Sequence, residues 1–169
     1  MQKNNVRLRQ EVFIADARKI VHWLEDELVI KYLNEKENVC SSIRQVVHRV
    51  NMPILTHLFN QKGSFFMITT EAKEAIGFLK LIPKKNNTEM VVVIGDKEKW
   101  GQGLGSNAIF EGLKHAFFEL RCDNVIAKIH FENHRSRKAF KKVGFTKNRD
   151  LKSEFEYSIS MKEFLKLAA

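Results

Sequence analysis

The sequence has little of what divides, cross-links or anchors a chain. Two prolines and eight glycines among 169 residues leave no Pro- or Gly-rich linker, so one domain over residues 1–169 is expected. The two cysteines, Cys40 and Cys122, stand far apart at no redox or metal-ligand spacing. That excludes a disulfide framework, suggests no metal, and fits a reducing cytoplasm. No apolar run approaches the roughly 20 residues of a membrane span, and the first residues lack the apolar core of a secretion signal, so no membrane role is expected. Tyrosine is scarce, at Tyr32 and Tyr157 only, whereas phenylalanine occurs 13 times.

Acidic residues are the minority, with a formal net charge of +9. Between Asn133 and Lys152 stand Arg135, Arg137, Lys138, Lys141, Lys142, Lys147, Arg149 and Lys152 against one acid, Asp150. Such a cluster suits nucleic acid, an anionic surface or a polyphosphorylated small molecule. Nucleic acid is disfavoured, because Arg135 to Lys152 carries no aromatic stacking platform and no groove-reading motif.

Hydrophobic periodicity orders the elements. Val6 to Phe13 alternates as a strand, and Asp16 is placed to cap a helix running to Leu24. Residues 26–34 read as either a short helical turn or an irregular connection. Ser41 or Ser42 can cap a helix bearing Ile43, Val46, Val47 and Val50, stopped before Pro53. Gly63 to Thr70 and Ala75 to Ile82 read as strands of antiparallel hairpins. Met90 to Ile94 is apolar throughout, as in a strand covered on both faces. A helix bearing Ile109, Leu113, Ala116, Phe117 and Leu120 then leads to a strand at Val125 to His130, a parallel crossover. Asn133 caps a shorter helix ended by Gly144, and Phe145 to Lys147 and Phe155 to Met161 supply the last strands. The order defines an α/β domain with a mixed sheet.

At the centre stands Trp100-Gly101-Gln102-Gly103-Leu104-Gly105-Ser106, between strand and helix. Closely spaced glycines admit a ligand to the backbone, and the free N–H groups of a helix N-terminus cradle phosphate oxygens. A dinucleotide loop would turn directly off its strand, and a Walker loop needs Lys-Ser/Thr after its last glycine; neither pattern is present.

This loop, followed by Asn133-His134-Arg135-Ser136-Arg137-Lys138-Ala139-Phe140-Lys141-Lys142-Val143-Gly144-Phe145, resembles the GNAT superfamily of acetyl-CoA-dependent N-acetyltransferases. Within it, the wording is similar to the ribosomal-protein N-terminal and spermidine acetyltransferase branch. The resemblance is densest from Glu89 to Phe145. It implies a mostly antiparallel mixed sheet flanked by helices, with a splayed parallel strand pair. It also implies acetyl-CoA as cosubstrate and an amine acceptor, a protein N-terminus or a small amine. The loop Trp100, Gly101, Gln102, Gly103, Leu104, Gly105 and Ser106 would hold the pyrophosphate. Main-chain groups near Ile94, Gly95 and Asp96, together with Asn133, would hold the pantetheine arm. The basic cluster suits the 3′-phosphate by charge.

Transfer to an amine requires that the reactants be held together, that a proton leave the nitrogen, and that the departing thiolate be accommodated. Many family members carry a tyrosine seven residues after the asparagine as acid; here that position is Phe140, which has no proton to give. Ser136 is the nearby hydroxyl and the candidate acid. Glu89 is the candidate base, with Glu74 and His130 as alternatives, and Tyr32 would border the acceptor cleft. Glu25, Asp26 and Glu27 are local carboxylates that could attract a polycationic acceptor despite the basic surface. A non-catalytic CoA-binding protein or a nucleic-acid-associated protein is the competing class, and a homodimer is a compatible assembly.

Overall fold

The computed structural model describes residues 5–33, 39–49 and 52–169. Val50, and the side chains of Cys40 and Ser41, lie outside the described set. Seven strands form one sheet: β1 (Val6–Arg9), β2 (Ser64–Thr70), β3 (Ala75–Pro83), β4 (Thr88–Ile94), β5 (Asn124–His130), β6 (Thr146–Asp150) and β7 (Glu154–Ser160). Their spatial order is β1-β2-β3-β4-β5-β7-β6. Every pairing is antiparallel except β4 with β5.

That one parallel pairing positions the site. β4 and β5 each run seven residues, yet they pair only at Thr88↔Val125 and Glu89↔Ile126. Beyond those rungs the strands diverge towards their C-terminal ends. β4 stays zipped to β3 on its other side from Thr88 to Ile94. The N–H groups of Gly95 and Asp96 then both donate to the Ile76 carbonyl, at 2.8 and 3.1 Å. Two residues opposing one is a β-bulge, which bends the chain out of the sheet just before the glycine loop.

Helices cover both faces. α1 (Ile14–Leu24) lies on one face with α2 (Glu27–Ile30), α3 (Val39–Arg49) and α4 (Thr56–Phe59) in the same stretch of chain. Ile20, Trp23 and Leu24 of α1 pack there on Phe65, Met67, Phe78 and Val93. α5 (Leu104–Lys114), extended by a wider turn through Glu119, covers the other face with α6 (His134–Val143) and α7 (Met161–Ala168). Its core includes Leu79, Met90, Ile109, Leu113, Phe117, Phe140, Phe145 and Phe164. Strand alternation accounts for the division: Phe65 and Met67 face α1, Phe66 and Ile68 face α5.

Some boundaries differ from the sequence reading. β1 ends at Arg9 rather than Phe13, and Phe13 becomes the N-cap of α1. Asp16 is therefore three residues into the helix, accepting from the Phe13 N–H at 2.9 Å and from Arg9 at 2.8 and 3.0 Å. α3 begins at Val39, so Ser42 lies inside it. Val91, Val92 and Ile94 are only half-buried, because the opening beside β4 leaves the strand uncovered there.

Candidate active site

A cavity of about 280 Å³ occupies the opening between β4 and β5. Its walls come from α2, the end of β4, the glycine loop, the start of α5 and one face of α6. Gly103 is the N-cap of α5 at φ 78°, and the first intrahelical bond is Asn107 N–H to the Gly103 carbonyl at 3.2 Å. The N–H groups of Leu104, Gly105 and Ser106 thus have no acceptor within the helix, and they sit at its positive end. A Cβ on Gly101 or Gly103 would meet no protein atom within 4 Å. The backbone is bare on the side where an anion would approach.

The second motif faces the first. Asn133 caps α6 by accepting the Ser136 N–H at 3.3 Å, and both residues line the cavity. Arg135 lays its guanidinium over the Trp100 ring, 3.5 Å from the centroid, and the Trp100 Nε1–H donates to the Ile94 carbonyl at 2.8 Å. One tryptophan therefore ties β4, the glycine loop and α6 together. Burial pushes the Arg135 guanidinium below its ordinary value, with the Tyr32 oxygen acting in the opposite sense. Arg135 has no carboxylate partner among the described residues, so it stands as an unneutralised cation in the cavity wall. Lys138 and Lys142 follow Arg135 on the same face of α6 at helical spacing and also line the cavity. The rest of the basic cluster is directed elsewhere. Arg137 donates to Phe131 O and to the Tyr157 hydroxyl, Lys147 pairs with Asp150, and Arg149 grips Glu156.

Most of the residues singled out in the sequence meet here: Ile94, Trp100, Gly101, Gly103, Leu104, Gly105, Ser106, Asn133, Ser136 and Tyr32. Gly95, Asp96 and Gln102 do not line the cavity. The Gly95 and Asp96 amides are turned to Ile76, and the Asp96 carboxylate caps the turn at Glu98, 3.1 Å away. The Gln102 amide reaches back to the Glu98 carbonyl at 3.1 Å. Since Gly95 N–H points to β3, period-two alternation turns the N–H groups of Val92 and Ile94 towards the opening. Val92 is thus a site residue the sequence reading missed, although strand alternation could have found it.

The base candidates lie apart. Glu89 is outside the cavity lining, on the α1 face of the sheet, with its carboxylate 3.2 Å from Lys128. Five residues of strand, roughly 16 Å, separate it from Ile94. Glu74 pairs with Lys99 at 3.8 Å near the hairpin turn. His130 accepts the Glu132 N–H on Nδ1 at 3.2 Å, which leaves the neutral ring's proton on Nε2 and no free lone pair. Direct contact with the cavity favours none of the three as base.

Comparison with known proteins agrees with this geometry. The acetyltransferase (GNAT) domain family matches residues 6–146. The chain belongs to the GNAT family and is an N-acetyltransferase. It is 26% identical over 137 residues to an uncharacterized N-acetyltransferase, p20, of Bacillus licheniformis, across 79% of this chain and 75% of that protein. The fold is shared with spermidine N-acetyltransferase of Vibrio cholerae, crystallised with CoA and spermine (TM-score 0.78, 17% identity, 95% of this chain and 98% of that one). It is shared equally with the aminoglycoside acetyltransferase AAC(6')-Ib in complex with paromomycin and acetyl-CoA (TM-score 0.80, 11% identity, 98% and 99%). Among the described residues no cluster of His, Cys, Asp and Glu could hold a metal ion, and no helix is long and apolar enough to cross a membrane.

Proposed function

We propose that this chain transfers the acetyl group of acetyl-CoA directly to a primary amine, either a small monoamine or a protein N-terminus. The observation that carries the reading is the meeting of free α5 amides with an unneutralised Arg135 at the mouth of an opened parallel strand pair. A pyrophosphate matches the first two by charge and hydrogen bonding. A slender amide-bearing arm matches the third, because the Val92 and Ile94 N–H groups there lack a strand partner.

Acetyl-CoA supplies an activated acyl group on a thiol that leaves readily. The protein's own part is to hold and orient. The first turn of α5 fixes the phosphates, Arg135, Lys138 and Lys142 bind the remaining negative charge, and Asn133 and Ser136 hold the arm from the α6 side. The acceptor would enter past α2, where Leu28, Val29 and Leu33 line the cavity. Among the described residues next to α2, Asp26 is paired with Lys97 at 2.7 Å and Glu25 with Arg44. Two of the three carboxylates Glu25, Asp26 and Glu27 are thus neutralised within the chain. We therefore favour an acceptor with one amino group.

Thiol release from acetyl-CoA, measured across monoamines, peptide N-termini, spermidine and an aminoglycoside, tests this. Turnover with a monoamine or a peptide is expected to exceed that with spermidine. Preference for spermidine or the aminoglycoside would overturn the acceptor assignment, and absence of release with every amine would overturn the reaction.

A further inference from the structure

We infer that Tyr32 is the proton donor for the departing thiolate, supplied from the turn after α2 rather than from α6. The inference rests on the proposed transfer reaction. Phe140 and Ser136 of α6 and Tyr32 line the same cavity. The tyrosine hydroxyl makes no hydrogen bond among the described residues, in contrast to Tyr157, which is fully buried and accepts from Arg137. It is the one phenol free to act in the cavity.

The ring is held, not loose. It stacks on His130 with centroids 5.0 Å apart and planes at 27°. The segment carrying it is fastened at Asp26, which accepts the Leu28 N–H at 3.0 Å and pairs with Lys97 in the turn before the glycine loop. Leu33 N–H donates to the Ile30 carbonyl at 2.9 Å just past the ring. Among the described residues, the charged and titratable groups around the phenol are Lys31, whose ammonium lies 5.3 Å from the ring centroid, His130 at the stack, and Arg135, which interacts with it electrostatically. Lys99, Lys138 and Lys142 complete the charged lining, which among the described residues contains no carboxylate.

Chemistry separates the two hydroxyls. A phenol ordinarily ionises near pH 10 and an aliphatic thiol near 8.5, so the proton moves against about 1.5 pKa units. A serine hydroxyl does not ionise in any working range, so Ser136 can hydrogen-bond sulfur without protonating it. In the balanced step, the carbon–sulfur bond breaks with its electron pair on sulfur. The phenol proton passes to that sulfur, and the Tyr32 phenolate then takes the proton that the acceptor nitrogen sheds. The enzyme returns to its starting state with no added reagent.

Tyr32→Phe keeps the stack on His130 and removes only the oxygen. It is expected to lower kcat 10- to 100-fold while the KM for acetyl-CoA stays within about twofold, since a thiolate asks less of an acid than the 10²- to 10⁴-fold maximum. Adding Phe140→Tyr to that variant places a phenol on the opposite wall and should restore much of the loss. A reading independent of turnover is the thiolate absorbance of bound CoA near 240 nm. The bound thiol should titrate at lower pH in the wild-type protein than in Tyr32→Phe, because a phenol donating to sulfur stabilises the thiolate. Equal titration curves together with unchanged kcat would overturn the assignment. A protein that binds no CoA would overturn the cofactor reading and this inference with it, whereas a shifted curve with no turnover on any amine would overturn the transfer reaction while leaving the contact between phenol and thiol in place.

Discussion

Gly103 and Gly95, eight residues apart in the chain, should fail in opposite ways. At Gly103 the backbone is left-handed, φ 78°, and a Cβ would meet nothing within 4 Å. Gly103→Ala therefore costs the left-handed penalty of about 1–2 kcal/mol and no steric clash. For a chain of this size that lowers Tm by roughly 2–8 °C. The new methyl group occupies the approach to the free amides of Leu104, Gly105 and Ser106. Losing two charge-assisted hydrogen bonds at about 1.5–3 kcal/mol each weakens CoA binding by two orders of magnitude or more. At a CoA concentration 100 times the wild-type Kd, ligand binding adds about 2.7 kcal/mol to the wild type, which is roughly 5–11 °C in Tm. The variant should shift by about 1–2 °C at most. Gly95 is the reverse. A Cβ there would lie 2.1 Å from the buried Trp23 ring, while the Gly95 amide is spent on Ile76 and touches no ligand. Gly95→Ala should lower Tm more than Gly103→Ala does, through overpacking of about 1–3 kcal/mol or more, yet keep the full CoA shift. Differential scanning fluorimetry with and without CoA reads both. A full shift in Gly103→Ala, or a lost shift in a folded Gly95→Ala, refutes the cradle.

Trp100→Ala removes the surface on which Arg135 is stacked, and a desolvated cation–π contact of up to about 2 kcal/mol predicts up to a 30-fold rise in the Kd for CoA. Titration calorimetry of Trp100→Ala, Arg135→Ala and the double variant should show non-additive losses; strict additivity would mean the stack does not position the guanidinium. The Cys122 thiol is pushed up from its ordinary value, first by burial. Its folded pKa lies above the unfolded one, so its contribution to stability is complete below the unfolded pKa and is lost as pH rises through the folded one. In a Cys40→Ser background, the alkylation rate of native Cys122 should reach half its limit at higher pH than that of the denatured chain. Coincident profiles would contradict the burial effect.

Much of this was legible because it is local. The Gly103 turn, the Asn133 cap and the Gly144 stop are each set within a few residues of chain, and all three occur where the sequence puts them. What escaped was set by distant partners. The direction of the Gly95 and Asp96 amides depends on Ile76, from a neighbouring strand. Asp16 looks like a cap until Arg9 and the end of β1 draw the helix start back to Ile14. Nothing local announces that Arg135 lies on Trp100, or that Tyr32 stacks on His130. The charge count in α6 was informative only after the helix was built, because spacing, not number, selects Arg135, Lys138 and Lys142 for the cavity.

The two-rung union of β4 and β5 makes the protein a sheet with a strand's worth of room left inside it. Edges that other folds expose at their margins are here enclosed within the molecule. A bound pantetheine arm would then serve as an eighth, non-peptide member of the sheet, closing ladders the chain leaves open. Amide exchange would report this directly, with Val92 and Ile94 exchanging quickly in the free protein and slowly once CoA is present, while Val91 and Val93, already zipped to β3, change little. On this view the abundance of the protein in a cell would follow the supply of its cosubstrate, since a chain with an open seam is the one that proteases find.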